Sequence, residues 1–281
     1  MKIYDKTFDE ERALYGVSGC VVEKCVFAGE RDGESALKET SDTTVKDCLF
    51  ELRYPLWHAL RFSVEGCTFT KDSRAALWYG KQGKISHCHL LGIKAVRECD
   101  GVQMTNCTAD SQELGWFCKN LDVKNCRINS EYFLLKSQNV TLEDVDFLGK
   151  YSFQYTKNVV IRNSVLHTKD AFWHAKNVRV ENSVVDGEYL GWYSDGLTLV
   201  NCTITGTQPL CYCKNLTLEN CTMANCDLAF EYSQVHARIK GNVPSVKNPL
   251  SGIITADSIG ERILRDSKVK CRCKIVSLDK N

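Results

Sequence analysis

The sequence predicts an all-β fold: a single-stranded, right-handed parallel β-helix of about 12 coils, mostly of 19 residues, with three parallel sheets and terminal caps. Two observations predict it. A short motif recurs with a strict 19-residue period through the middle of the chain. Its copies are rich in Val, Ile, Thr, Phe and Tyr and alternate apolar with polar residues, which is strand chemistry.

The motif is clearest at Asn120–Ile128, Asn139–Phe147, Asn158–Leu166 and Asn177–Val185. One Cys/Ser position serves as an anchor: Cys25, Cys48, Cys67, Cys88, Cys107, Cys126, Val145, Ser164, Ser183, Cys202 and Cys221. Successive anchors differ by 23, 19 and 21, and then by 19 seven times. Leucine-rich repeats run at about 20–29 residues and need a leucine line that is missing. Three short strands and three corners fill one coil, and each strand pairs with its equivalent one coil later, roughly 4.8 Å along the axis. One domain is expected over residues 1–281, with regular coils over about 11–223 and an irregular final coil and cap over 224–281.

Columns of equivalent residues assign the faces. Val22, Val45, Val64, Ile85, Met104 and Val123 stand three before the anchor, and Phe27, Phe50, Phe69 and Leu90 two after it. Both columns face the core. Asn106, Asn125, Asn163, Asn182, Asn201 and Asn220 precede the anchor, where a sharp corner favours a residue that tolerates left-handed backbone. Eight of the 16 cysteines are anchors, and they read as small apolar fillers because the column also accepts Val and Ser. Residues Asn242 to Pro249 read as a loop, and Ile253 to Val276 as the closing cap.

Composition excludes several classes. Lys+Arg number 36 against 35 Asp+Glu, so no general field attracts nucleic acid or an anionic membrane. No apolar run reaches spanning length. The N-terminus, Met1 to Arg12, lacks the apolar core of an export signal. With that, 16 cysteines read as reduced thiols in a cytoplasm. No Cys-x-x-Cys pair or zinc-spaced quartet occurs, so neither a metal nor another cofactor is expected.

The third strand of each coil carries the candidate site. Eleven before the anchor stand Leu14, Leu37, Leu56, Leu77, Leu134, Phe153, Phe172 and Leu210, facing inward. One residue later come all 5 tryptophans: Trp57, Trp78, Trp116, Trp173 and Trp192, with Lys38 and Arg97 in the same column. By alternation they point outward. The next column holds Glu39, His58, Tyr79 and Glu98 in successive coils, the densest titratable cluster, and these are the catalytic candidates. Trp57, Trp78, Arg97, Trp116, Arg53 and Arg74 are the binding candidates, and Trp173, His174 and Trp192 a second set near Asp170 and Tyr193. Glu11, Glu34, Arg53 and Arg74 share a further column. Its two carboxylates approach the spacing of a retaining glycosidase, although an ion-pair ladder is the plainer account. His236, Arg238 and Lys240 face outward and could hold an anion or form a solvated edge.

The asparagine corner resembles that of pectate-lyase-like β-helices. Glu11–Leu14, Gly33–Glu39, Tyr54–Trp57 and Pro249–Ile254 resemble a bacterial family named domain of unknown function 3737, over essentially the whole chain. That resemblance implies a β-helix and no particular activity.

Two functions compete. In one, the aromatic face binds or cleaves an oligosaccharide or another small ligand. In a lyase, Arg97 or Arg53 would neutralise a uronate while His58 takes the α-proton. In the other, the protein is a non-enzymatic scaffold with the aromatic strip as a homo-oligomer or partner seam.

Overall fold

The structure, a computed structural model, describes residues 1–29 and 34–279. Gly33, part of the resemblance above, lies outside the described residues. Every regular element among them is a β-strand, and no helix occurs. The chain divides into two compact units, Met1–Thr141 and Leu142–Asn281. Each is a parallel β-solenoid, and together they make about 14 turns at roughly 19-residue spacing.

In the first unit Val22 pairs with Val45, Val45 with Val64, Val64 with Ile85, Ile85 with Met104, and Met104 with Val123. In the second, Val159 pairs with Val178 and Val178 with Leu197. All of these side chains are buried. The phenylalanines two after the anchor form a stack inside the first unit: Phe8–Phe27, Phe27–Phe50 and Phe50–Phe69 centroids lie 5.1, 4.8 and 4.8 Å apart.

The corner asparagines adopt φ near +50° and bond between coils. Asn125 Nδ2 donates to Asn106 Oδ1 at 2.6 Å in the first unit, and Asn201 to Asn182 at 3.0 Å in the second. A second such column lies at the other end of the same strand. There Asn139 donates to Asn120, and Asn177 to Asn158, again from left-handed backbone.

Several of the polar anchor side chains share one task. Ser164 Oγ accepts the Val145 N–H and donates to the Arg162 carbonyl. Cys126 Sγ accepts the Cys107 N–H and donates to the Lys124 carbonyl. A thiol thus serves where a hydroxyl does elsewhere. Cys126→Ser is expected to change the unfolding free energy by less than about 1.5 kcal/mol, whereas Cys126→Leu overpacks the corner and costs ~1–3 kcal/mol. Urea denaturation checks both.

The turn count stands close to the expected 12, with the chain ends coiling too, and two other expectations need correction. Lys2–Tyr4 and Thr7–Phe8 pair with Val21–Glu23 and Val26–Phe27. Residues 242–247, expected as a loop, belong to the strand Gln234–Lys247, which pairs with Ser251–Ile263, and Lys274–Ser277 follows as a further strand. The third side of the coil is not a full sheet either. Among the described residues it carries the strand pair Leu77–Trp78 with Val96–Arg97 and the isolated bridges Arg97–Trp116 and Ala229–Val246, and is otherwise mostly consecutive turns.

Candidate functional site

Those turns decide which side chains reach the surface. Two consecutive residues face inward, as with Pro55–Leu56 and Ala76–Leu77, and then two face outward, as with Trp57–His58 and Trp78–Tyr79. Strict alternation would return the second of the outward pair to the core. Left-handed backbone prevents this, with φ of +58° at Glu39, +60° at His58, +58° at Tyr79 and +51° at Glu98. Both candidate columns therefore share one outer surface in the first unit.

There the rings stack on one another along the coil axis. Trp57 and Trp78 lie 5.7 Å apart and 15° from parallel, and His58 and Tyr79 lie 4.8 Å apart and 11° from parallel. Cations cap the tryptophan pair: Lys38 Nζ sits 4.2 Å from the Trp57 ring and the Arg97 guanidinium 5.7 Å from Trp78. Arg97 also lies 5.3 Å from the Trp116 ring. The faces of the Trp57–Trp78 pair, which a stacked sugar would use, are thus covered within the stack.

The carboxylates are engaged as well. Glu39 accepts from the Tyr15 hydroxyl at 2.7 Å and lies 3.9 Å from Lys38 Nζ. That bond raises the Tyr15 pKa. Glu98 accepts from Trp78 Nε1 and Arg97 Nε, each at 3.3 Å. Among the described residues, no hydrogen bond joins His58 to Glu39, and none joins it to Arg53 or Arg97. The structure gathers the four catalytic candidates on one surface without linking them into an acid–base pair.

The binding candidates Arg53 and Arg74 lie elsewhere on this unit, in a groove of about 570 Å³. Its charged walls are Glu34, Glu51, Arg53, Lys71, Asp72 and Arg74. Arg53 Nη2 bonds Glu34 Oε2 at 3.0 Å, and Glu11 is paired with Arg12 instead. Arg53 also leans 5.9 Å from the Tyr54 ring, which packs at about 50° against both Trp57 and Trp78. Tyr54 thereby connects the groove to the tryptophan pair. Sequence reading missed Glu51, Lys71 and Asp72. The signal was present in the spacing: the interval of 21 between Cys67 and Cys88 places its extra residues between Phe69 and Leu77, on this rim.

Between Asp72 and Arg74 of the groove wall, Ser73 is fully buried and its hydroxyl has no partner. In later coils the equivalent hydroxyls of Ser111 and Ser130 accept the N–H of Ala95 and Leu114. The residue that would serve Ser73 is Pro55, which has no N–H.

In three coils the tryptophan N–H is structural. Trp116 donates to the Tyr132 carbonyl in the first unit, and Trp173 and Trp192 to those of Tyr189 and Gln208 in the second, at 2.7–2.8 Å. Trp57 and Trp78 depart from this. Trp78 bonds Glu98, and the Trp57 N–H is buried without a partner.

In the second unit, Tyr155, His174, Tyr193 and Tyr212 form a ring stack at 4.8, 5.1 and 4.9 Å, with Trp173 on Trp192 at 5.4 Å beside it. Asp170 does not bond His174. It is buried, and burial raises its carboxyl pKa, with Glu188 adding to the rise and Lys169 opposing it. The folded pKa exceeds the unfolded one, so the unfolded state holds fewer protons in that window and stability falls as pH rises through it. Asp170→Asn is expected to raise the thermal midpoint at pH 7 and to leave it unchanged below about pH 3, where the native carboxyl is protonated in both states. Scanning calorimetry at the two pH values checks this.

All sixteen cysteines are free thiols. Burial pushes Cys211 and Cys226 up to about 12 and Cys213 up to about 11, so these thiols remain protonated near neutral pH.

The profile of the family described as protein of unknown function (DUF3737) matches residues 1–276. The chain belongs to the DUF3737 family. No curated protein matches it. Among solved structures, this DUF3737 chain is similar to the catalytic unit of a thermostable α-1,3-glucanase of Streptomyces thermodiastaticus at 10% identity and TM-score 0.39, over 98% of this chain and 62% of that one. It is similar to the tailspike protein of E. coli bacteriophage HK620, solved with a pentasaccharide, at 10% identity and TM-score 0.39, over 92% and 65%. The surface adhesin PfbA of Streptococcus pneumoniae follows at 10% and 0.36, over 81% and 69%. This DUF3737 chain spans less than two thirds of the glucanase unit and of the tailspike.

Proposed function

We propose that the first unit binds a short carbohydrate in the groove walled by Arg53, Arg74, Lys71, Glu34, Glu51 and Asp72. One observation carries this reading: in a regular array, the 21-residue interval adds residues at the rim of a mixed-charge groove. Insertions in solenoids map to loops on one face, often the binding face. Carboxylates and guanidinium groups together offer acceptors and donors to sugar hydroxyls, and charged partners make the stronger hydrogen bonds. Tyr54 supplies the apolar neighbour. The stacked rings of Trp57, Trp78, His58 and Tyr79 then stiffen the wall beside the groove instead of stacking on the sugar. Catalysis is not required by this reading. Sixteen free thiols, nearly all buried, favour a reducing cytoplasm as its setting.

Binding to a glycan array, followed by calorimetry on any hit, tests it. Arg74→Ala and Asp72→Ala are expected to weaken binding at least tenfold. As exposed residues, they should change stability by no more than about 0.5 kcal/mol. Affinity unchanged in both variants, or no binding across broad panels, contradicts the proposal.

A homo-oligomer seam is favoured by a different observation: Tyr155 and Tyr193 in the second unit's stack are about half exposed. Light scattering on Tyr193→Ala separates the two readings, since a monomeric wild type removes the seam.

A further inference from the structure

The second unit carries further grooves, on strands the carbohydrate reading does not use. Its asparagine ladder runs Asn182, Asn201, Asn220, with Asn220 Nδ2 donating to Asn201 Oδ1 at 2.6 Å. The following coil breaks it. Glu219 pairs with Arg238 and Cys221 with Ile239, so Asn220 is the extra residue of a bulge and no amide stands opposite it. The next coil bulges again at nearly the same corner, between Ile239 and Asn242. Consecutive bulges of this kind re-aim side chains and occur beside functional sites.

A groove of about 600 Å³ opens there, lined by Asn220, Arg238, Lys240, Glu219, Asp257 and Leu278. It adjoins one of about 440 Å³ that shares Glu219, Arg238 and Leu278 and adds His236 and Thr255. The charges in it are unevenly committed. Asp257 accepts the Gly241 N–H at 2.6 Å. Arg238 and Lys240 are exposed, and neither makes an ion pair among the described residues. The amide oxygen of Asn220, its ladder partner missing, is open to a donor. Leu278 forms an apolar wall.

We infer that this groove binds a small hydroxylated oxyanion, a phosphate monoester or a carboxylate. Arg238 grips the anion with its planar fork, and Lys240 adds a point charge. Asn220 Oδ1 accepts a hydroxyl of the ligand, replacing the rung that the bulge removed. Glu219 on the same wall disfavours a purely anionic ligand and favours one that also carries donors.

Isothermal titration of the full chain with glycerol 3-phosphate, glycerate and glycerol tests the inference and separates its two chemistries. Binding of glycerol 3-phosphate or of glycerate is expected, and none of glycerol. Arg238→Ala and Lys240→Ala should each weaken it at least tenfold, and Asn220→Ala by a smaller factor. Raising the salt should weaken it further. No binding of either anion, or binding that both cation substitutions leave intact, overturns the inference. Arg74→Ala, in the first unit, should have no effect here, so this result stands apart from the carbohydrate test.

Discussion

Phe50→Ala is expected to cost about 4–5 kcal/mol of unfolding free energy, near the top of the range for a buried aromatic truncated in a core. Phe50 is fully buried, and its ring is sandwiched between Phe27 and Phe69, 4.8 Å from each and within 5° of parallel. Removing it takes away its own burial and two aromatic contacts, each worth roughly 0.5–1.5 kcal/mol beyond area. The neighbouring coils are fixed by ladder hydrogen bonds on both sides of the residue, so the cavity cannot close. Phe50→Leu keeps most of the volume and should cost less than about 1.5 kcal/mol. Phe8, at the end of the stack with one ring neighbour, should tolerate alanine far better. Urea unfolding of the three variants checks the order. Equal losses at Phe8 and Phe50 would mean that the stack does not couple successive coils.

Gly187→Ala is expected to be comparably damaging, for a different reason. Gly187 has φ of +153°, and a Cβ placed there would stand 1.6 Å from the Thr168 carbonyl oxygen one coil earlier. That obstacle is backbone. The Gly187 N–H donates to Thr205, and the Thr168 N–H to Asp186, so shifting the strand breaks the ladder on both sides. A loss above about 3 kcal/mol follows, in the range of special-backbone and overpacking effects. Gly19→Ala is the control. It also has positive φ, +61°, but a Cβ there meets nothing within 4 Å. Its cost should stay near the ~1–2 kcal/mol of a left-handed non-glycine residue. Thermal unfolding of both variants decides it: similar midpoints would contradict the close approach of the coils at Thr168 and Gly187.

The repeat was legible because a stacked coil gives each side chain the same environment nineteen residues on. Val, Ile and Phe columns, the cysteine anchors and the asparagine corner each follow from that one fact. The third side was legible only in part. The outward tryptophans could be assigned by alternation, but alternation assumes extended backbone. His58, Tyr79 and Tyr155 sit at φ of +57° to +60°, and nothing in a histidine or tyrosine signals left-handed backbone. The way the rings face one another was therefore hidden. The last coils were hidden because the interval changes: Val235 pairs with Gly252, and Ile253 with Lys274, spacings of 17 and 21 that no fixed column predicts. The groove with Lys71 and Asp72 was written in the departure of one interval from 19, a signal of position without chemistry.

The stacking of successive coils is the claim on which the core, both grooves and every variant above depend. A sulfur-anomalous map from a crystal of the protein tests it most directly in the first unit. The sulfurs of Cys48, Cys67, Cys88, Cys107 and Cys126 are predicted to form a single row, spaced by about the 4.8 Å of neighbouring parallel strands. Sulfurs scattered off one line, or spaced irregularly along it, would contradict the register from which the rest follows.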